Sequence, residues 1–294
     1  MANRQRITRQ YEVTSALALT VRLTDARLRI TGVDRPLATV NVSIDNFGGW
    51  HGVEDETVEQ ISTGIVFEGQ HLSVESPPQA GPGWRRRSRL EYEIEVPRNT
   101  RLELTTSNGR VEVSNLRGPV RADVRNGPAS LADLTEPVEI EVENGPLSVR
   151  RCASSLTAKV INGPVEAREV QGATNLNVVN GPADLRQLGS SVEAVAINGP
   201  VEYQGTIAGD LKLSARNGPI VLRLPAASRF ELDAEANRGT VESDFEVDEG
   251  QPGPAGAHRL VLRTDRGNIR IQRDDGHRGA RVVVGVGAWG RTGL

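Results

Sequence analysis

The dipeptide Asn-Gly recurs at Asn108, Asn126, Asn144, Asn162, Asn180, Asn198 and Asn217, with spacings of 18, 18, 18, 18, 18 and 19 residues. From Asn126 onward it extends to Asn-Gly-Pro. A turn signal held in register at a fixed period marks stacked supersecondary units, each too small to bury its own apolar face.

The pattern between corners gives the conformation. Counting from each Asn, the third position reads Val111, Ala129, Leu147, Val165, Ala183 and Val201, and the fifth reads Val113, Leu131, Val149, Ala167, Leu185 and Tyr203. The fourth reads Glu112, Ser130, Ser148, Glu166, Asp184 and Glu202. Alternation of period two is that of a strand with one buried face. Later in each repeat Val120, Ala122, Val124, then Val138, Ile140, Val142, then Leu156, Ala158, Val160 repeat the same parity. The period of 3.6 that a helix requires is missing. The expected fold is therefore all-β: a single-stranded β-solenoid, or β-helix, with 18-residue coils.

Continuing the parity puts each Asn on the inward side, where amides can hydrogen-bond from rung to rung. Gly follows because the corner needs positive φ, and Pro then fixes φ where no ladder donor is required. The Asn-Gly corners read as structural. Stacking also sets Arg121 over Glu139 and Arg125 over Glu143, pairs that support the register more than the stability.

Residues 1–10 read as a flexible N-terminus and 11–273 as one solenoid domain. Within it, 11–107 form irregular N-terminal coils, 108–236 the regular 18-residue repeats and 237–273 closing coils; 274–294 read as a tail or capping strand. Atypical terminal repeats are expected, because they must cap an open sheet edge. Two Pro/Gly-rich stretches, 76–89 and 248–258, read as loops.

Two surface features stand out. Parity points Ile161, Val179 and Ile197 away from the core, with Val195 nearby. A three-rung apolar stripe calls for cover, either by the chain's own termini or by a partner or second copy. Arg85, Arg86, Arg87 and Arg89, beside Trp84, form a candidate anion patch or else a solvated loop.

Little else suggests chemistry. The 35 basic and 38 acidic residues nearly balance, which leaves no footprint for nucleic acid, and at 3% the aromatics are too few for a stacking platform. Cys152 is the single cysteine, so no intramolecular disulfide or cysteine-zinc cluster can form. Its repeat position, shared with Leu116, Leu134, Val170 and Leu188, makes it an apolar filler. No cofactor or metal site and no catalytic motif is expected. The column Glu166, Asp184, Glu202 leaves a glycan-cleaving β-helix as a distant alternative. No segment is long and apolar enough for a membrane span, and the polar N-terminus lacks a secretory h-region. The expected location is cytoplasmic; export by another route would place the chain at the cell surface.

Several segments resemble the bacterial putative-adhesin family of β-strand-repeat proteins, a domain of unknown function. They are Leu28-Arg29-Ile30-Thr31-Gly32, Tyr92 to Pro97, Leu102 to Gly109 with its Thr-Ser-Asn-Gly, Leu224-Pro225-Ala226 followed by Phe230 to Asp233, and Thr264 to Ile271. The resemblance implies a β-solenoid with a role in adhesion or in cell-envelope stress, and brings no catalytic residues with it. Two functions stay open: a non-enzymatic binding or scaffold module for a protein or envelope component, and a self-assembling structural protein.

Overall fold

The structure, a computed structural model, describes residues 3–46, 61–76, 88–246, 257–274 and 282–284. The chain divides into two compact units, Met1–Lys159 and Val160–Leu294.

In the first unit the strands are β1 (Asn3–Glu12), β2 (Ala18–Leu23), β3 (Ala26–Val33), β4 (Leu37–Asn46), β5 (Ile65–Glu68), β6 (His71–Glu75), β7 (Ser88–Pro97), β8 (Arg101–Asn108), β9 (Val111–Ser114), β10 (Val120–Asn126), β11 (Ala129–Leu134), β12 (Val138–Asn144) and β13 (Leu147–Cys152). One sheet runs β1-β4-β7-β3-β9-β11-β13 and the other β5-β6-β2-β8-β10-β12. Each 18-residue repeat thus supplies two strands, one to each sheet. Pairing is parallel, with Val120 opposite Val138 and Ala129 opposite Leu147, one repeat on.

Strand β14 (Leu156–Asn162) contains the boundary between the units. The second unit continues with β15 (Val165–Val170), β16 (Thr174–Asn180), β17 (Ala183–Arg186), β18 (Val192–Asn198), β19 (Val201–Gln204), β20 (Leu211–Asn217), β21 (Ile220–Leu224), β22 (Phe230–Arg238), β23 (Val241–Ser243), β24 (His258–Arg266), β25 (Ile269–Arg273) and β26 (Val282–Val284). Its sheets run β15-β17-β19-β21-β25-β23-β26 and β16-β18-β20-β24-β22. The last coil in sequence, β24 and β25, therefore inserts between β20–β21 and β22–β23, so the closing coils do not stack in chain order.

The core follows the alternation. Val120, Ala122, Val124, Val138, Ile140 and Val142 are buried in the first unit, as are Leu176, Val178, Val192, Ala194 and Ala196 in the second. Leu116, Leu134 and Cys152 fill their shared column in the first unit, and Val170 and Leu188 continue it in the second. Dispersion and apolar burial along these columns supply the main favourable contribution to folding.

Two kinds of corner separate the strands. The first is the Asn-Gly turn. Gly127 and Gly145 in the first unit and Gly163, Gly181 and Gly199 in the second have φ between +135° and +155°. Space also demands glycine, since a Cβ on Gly181 would lie 2.1 Å from the Gly163 carbonyl oxygen. The second corner carries no glycine signal in most repeats: Asn115, Asp133, Arg151, Glu169 and Gln187, again 18 residues apart, sit in the left-handed region with φ of 52° to 60°. Gly205 takes the next place in that series.

The Asn side chains do not point into the core. In β10 the register passes from Val124 opposite Val142 straight to Asn126 opposite Asn144, and Arg125 and Asn126 are both exposed. This local break in the pleat shifts the parity by one, which puts the Asn at the outer corner. The rung-to-rung amide bonds form there all the same. Asn126 Nδ2 donates to Asn108 Oδ1 and Asn144 Nδ2 to Asn126 Oδ1, each at 2.9 Å. In the second unit Asn180, Asn198 and Asn217 donate in the same sense to Asn162, Asn180 and Asn198, at 2.8 Å.

Of the terminal strands, β22 keeps the parallel pattern and the others depart from it. In the first unit β1 pairs antiparallel with β4, and β5 with β6; in the second β26 pairs antiparallel with β23. Such strands interrupt the parallel register that end-to-end addition would need. Aromatic pairs gather on them and nearby: Tyr11 stacks on Phe67 at 5.0 Å, and Phe230 meets Phe245 edge-on at 5.3 Å.

Candidate binding surface

The residue before each corner Asn keeps the outward parity of its strand. Arg125 and Glu143 occupy this column in the first unit; Ile161, Val179, Ile197 and Arg216 continue it in the second. Ile161, Val179 and Ile197 are half-buried, and Val195, on the outward face of β18, is 37% exposed. Val195 lies opposite Asn177 on one side and Ser214 on the other. The four residues that parity directed outward thus lie in one stretch of surface, beside the Asn ladder. A shallow groove of 280 Å³ begins at Val195 and Ile197 and ends against Arg216 and Asp265. The apolar column is thereby bounded by an ion pair, Arg216 Nε to Asp265 Oδ2 at 3.8 Å.

The ladder ends in arginine. In the rung beyond Asn217 the corner residue is Arg266, and in the next it is Arg238. Arg266 Nη1 donates to Asn217 Oδ1 at 3.3 Å, taking the place of the next amide. These residues, with Arg216, Asn237 and Asp265, line a groove of 660 Å³. Arg266 precedes Gly267 and Arg238 precedes Gly239, as each corner Asn precedes a glycine. Which of the two lies next to Asn217 could not be found that way, because the stacking order of the last two coils is reversed relative to the chain.

The anion patch proposed for Arg85, Arg86 and Arg87 lies outside the described residues, and of Arg89 only the backbone, in β7, is described.

The acidic column stacks as its spacing suggested, with Glu166 opposite Asp184 and Asp184 opposite Glu202. Each carboxylate is engaged by an arginine: Glu166 by Arg168, Asp184 by Arg186 at 2.8 Å, and Glu202 by Arg223 at 3.1 Å. Hydrogen bonding to Asp184 pushes the Arg186 guanidinium above its ordinary range. At the second corner, the hydrogen bonds from Arg151 hold the Asp133 carboxyl below its usual value. Cys152 is buried, its thiol donates to the Ser154 carbonyl at 3.4 Å, and burial pushes its pKa up. His71 shares a hydrogen bond with Thr20 at 2.9 Å. Among the described residues no group of three or more His, Cys, Asp or Glu could hold a metal ion, and no helix is long and apolar enough to cross a membrane.

Among curated proteins no relative matches this chain. Solved structures do. A putative adhesin from Bacteroides fragilis is 13% identical, covering 92% of this chain and 97% of its own, with a TM-score of 0.41. A putative adhesin from Parabacteroides distasonis is 10% identical over 90% and 97%, with a TM-score of 0.38. A putative lipid binding protein from the same organism is 14% identical over 90% and 96%, with a TM-score of 0.34. The family profile described as Toastrack DUF4097 matches residues 59–276, which include every Asn-Gly corner and the apolar column, and the chain belongs to that family.

Proposed function

We propose that this chain is a non-enzymatic, adhesin-like binding or scaffold protein with a protein or envelope component as partner, and that residues 11–273 act as one single-stranded β-solenoid with 18-residue coils. The observation that carries the binding reading is the half-exposed column Ile161, Val179, Ile197 with Val195 beside it. Apolar side chains held at fixed spacing on a strand face gain free energy when a partner covers them. The arginines seated on Glu166, Asp184 and Glu202 support a non-enzymatic reading, since ion-paired carboxylates are poor general acids and bases. The one-domain reading is supported by the 18-residue spacing of Asn144 and Asn162, which flank the unit boundary. A single cooperative urea transition would agree with it, and two resolved transitions would sink it.

A second reading, self-assembly, is favoured by the same column, because a second copy could cover it. Light scattering behind a sizing column across a range of protein concentrations separates the two. Concentration-dependent growth supports self-assembly. A constant monomer mass supports the binding reading and directs ligand screening to envelope glycans and lipids.

A further inference from the structure

The structure assigns an oxyanion-binding site to the arginine corner that ends the Asn ladder in the second unit. The inference goes beyond the binding reading above and concerns the adjoining groove, which meets the apolar one at Arg216 and Asp265.

Within the ladder every amide has a donor side and an acceptor side, and each Nδ2 donates to the Oδ1 of the preceding rung. The last asparagine, Asn217, would be left with an unfilled acceptor. Arg266 fills it with one N–H, and a guanidinium has five. The corner position of the next rung is Arg238, directly opposite Arg266 in the parallel pair. Like charges opposite one another on adjacent strands, roughly 4.8 Å apart, destabilise the pair. Among the described residues Arg238 makes no ion pair or hydrogen bond that would offset this. The third arginine, Arg216, shares Asp265, and that carboxylate is also held by Asn237 Nδ2 at 3.0 Å. The groove therefore carries three guanidiniums against one carboxylate.

A tetrahedral oxyanion answers each of these features. Phosphate or a phosphate ester accepts forked N–H pairs from two arginines at once and neutralises the repulsion between Arg238 and Arg266. The 660 Å³ groove is open and large enough for the group and the first atoms of whatever bears it.

The test is calorimetric titration of inorganic phosphate into the full chain, beside Arg238→Gln and, as a control, Arg121→Gln at an exposed ion pair of the first unit. Losing charged hydrogen bonds should weaken phosphate at least about tenfold in Arg238→Gln, with Arg121→Gln unchanged and wild-type affinity falling as salt rises. Phosphate should raise the melting temperature of the wild type and not of Arg238→Gln. Without phosphate, Arg238→Gln should melt no lower than the wild type, since it removes a repulsion. Absence of phosphate binding, equal affinity in wild type and Arg238→Gln, or a lower melting temperature for phosphate-free Arg238→Gln overturns the site. Val179→Asp, which alters only the apolar column, should bind phosphate as the wild type does. Cosedimentation with phosphatidylglycerol but not phosphatidylcholine vesicles, lost in Arg238→Gln, would place the oxyanion on a lipid headgroup. Phosphate binding without cosedimentation would place it on a soluble phosphate compound.

Discussion

Asn198 Nδ2 donates to Asn180 Oδ1 at 2.8 Å, and Asn180 Nδ2 donates in turn to Asn162 Oδ1 at the same distance. A residue in mid-ladder thus serves two bonds. Asn180→Ala removes both and should cost about 1–2 kcal/mol, read as a lower urea midpoint at unchanged slope. Combining it with Asn198→Ala should cost less than the sum, because the pair shares a bond. An unaltered midpoint would show that solvent replaces the ladder without loss.

Gly181→Ala should be far more damaging than its size suggests. At φ of +148° an L-residue is strained, and its Cβ would meet backbone 2.1 Å away that cannot move without its own rung. A cost of about 3 kcal/mol or more is expected. Gly69 also has positive φ, +61°, but has nothing within 4 Å of the added carbon. Gly69→Ala should cost only about 1–2 kcal/mol. Equal losses at the two sites in denaturant titrations would remove close rung approach as the reason for glycine.

Val179→Asp should leave the thermal transition nearly in place, because the side chain is already half-exposed. Any assembly or partner binding through this column seen for the wild type should be lost. A marked fall in stability with assembly intact would instead make the column part of an internal contact.

Two buried tyrosines predict the alkaline behaviour. Burial pushes the Tyr203 hydroxyl up to about 12 and that of Tyr92 higher still, against about 10 in an unfolded chain. The folded state therefore keeps protons that the unfolded state gives up. Their contribution to stability is complete below pH ~10 and is lost as pH rises toward 12, by up to about 1.4 kcal/mol per pH unit for each tyrosine. Tyr203→Phe should lose about 1 kcal/mol at pH 8, from its 2.7 Å bond to the Thr206 carbonyl, and decline less steeply above pH 10. The Tyr92 hydroxyl is buried without a hydrogen-bond partner among the described residues. Tyr92→Phe should accordingly raise stability by about 1 kcal/mol at pH 8. Urea unfolding at pH 8, 10 and 11 checks all three expectations, and a destabilised Tyr92→Phe would contradict the last.

Much of this protein is legible in the order of its residues. The period of two makes strands, the period of 18 stacks them, and together they name the buried columns from Val120 to Ala196 and the outward one from Ile161 to Ile197. These are local signals: each repeat states its own parity and its own turn, so no long-range information is needed. What stayed hidden depends on neighbours in space. The break before each corner Asn changes which way that side chain faces, although the residue types are those of a continuing strand. The left-handed corner at Asn115, Asp133, Arg151, Glu169 and Gln187 has no residue type in common that favours it. The insertion of β24 and β25 between earlier coils is likewise absent from the local pattern, because a parallel strand can pair on either edge of the rung it meets. That choice is made by packing at the end of the stack, and it sets Arg266, rather than Arg238, against Asn217.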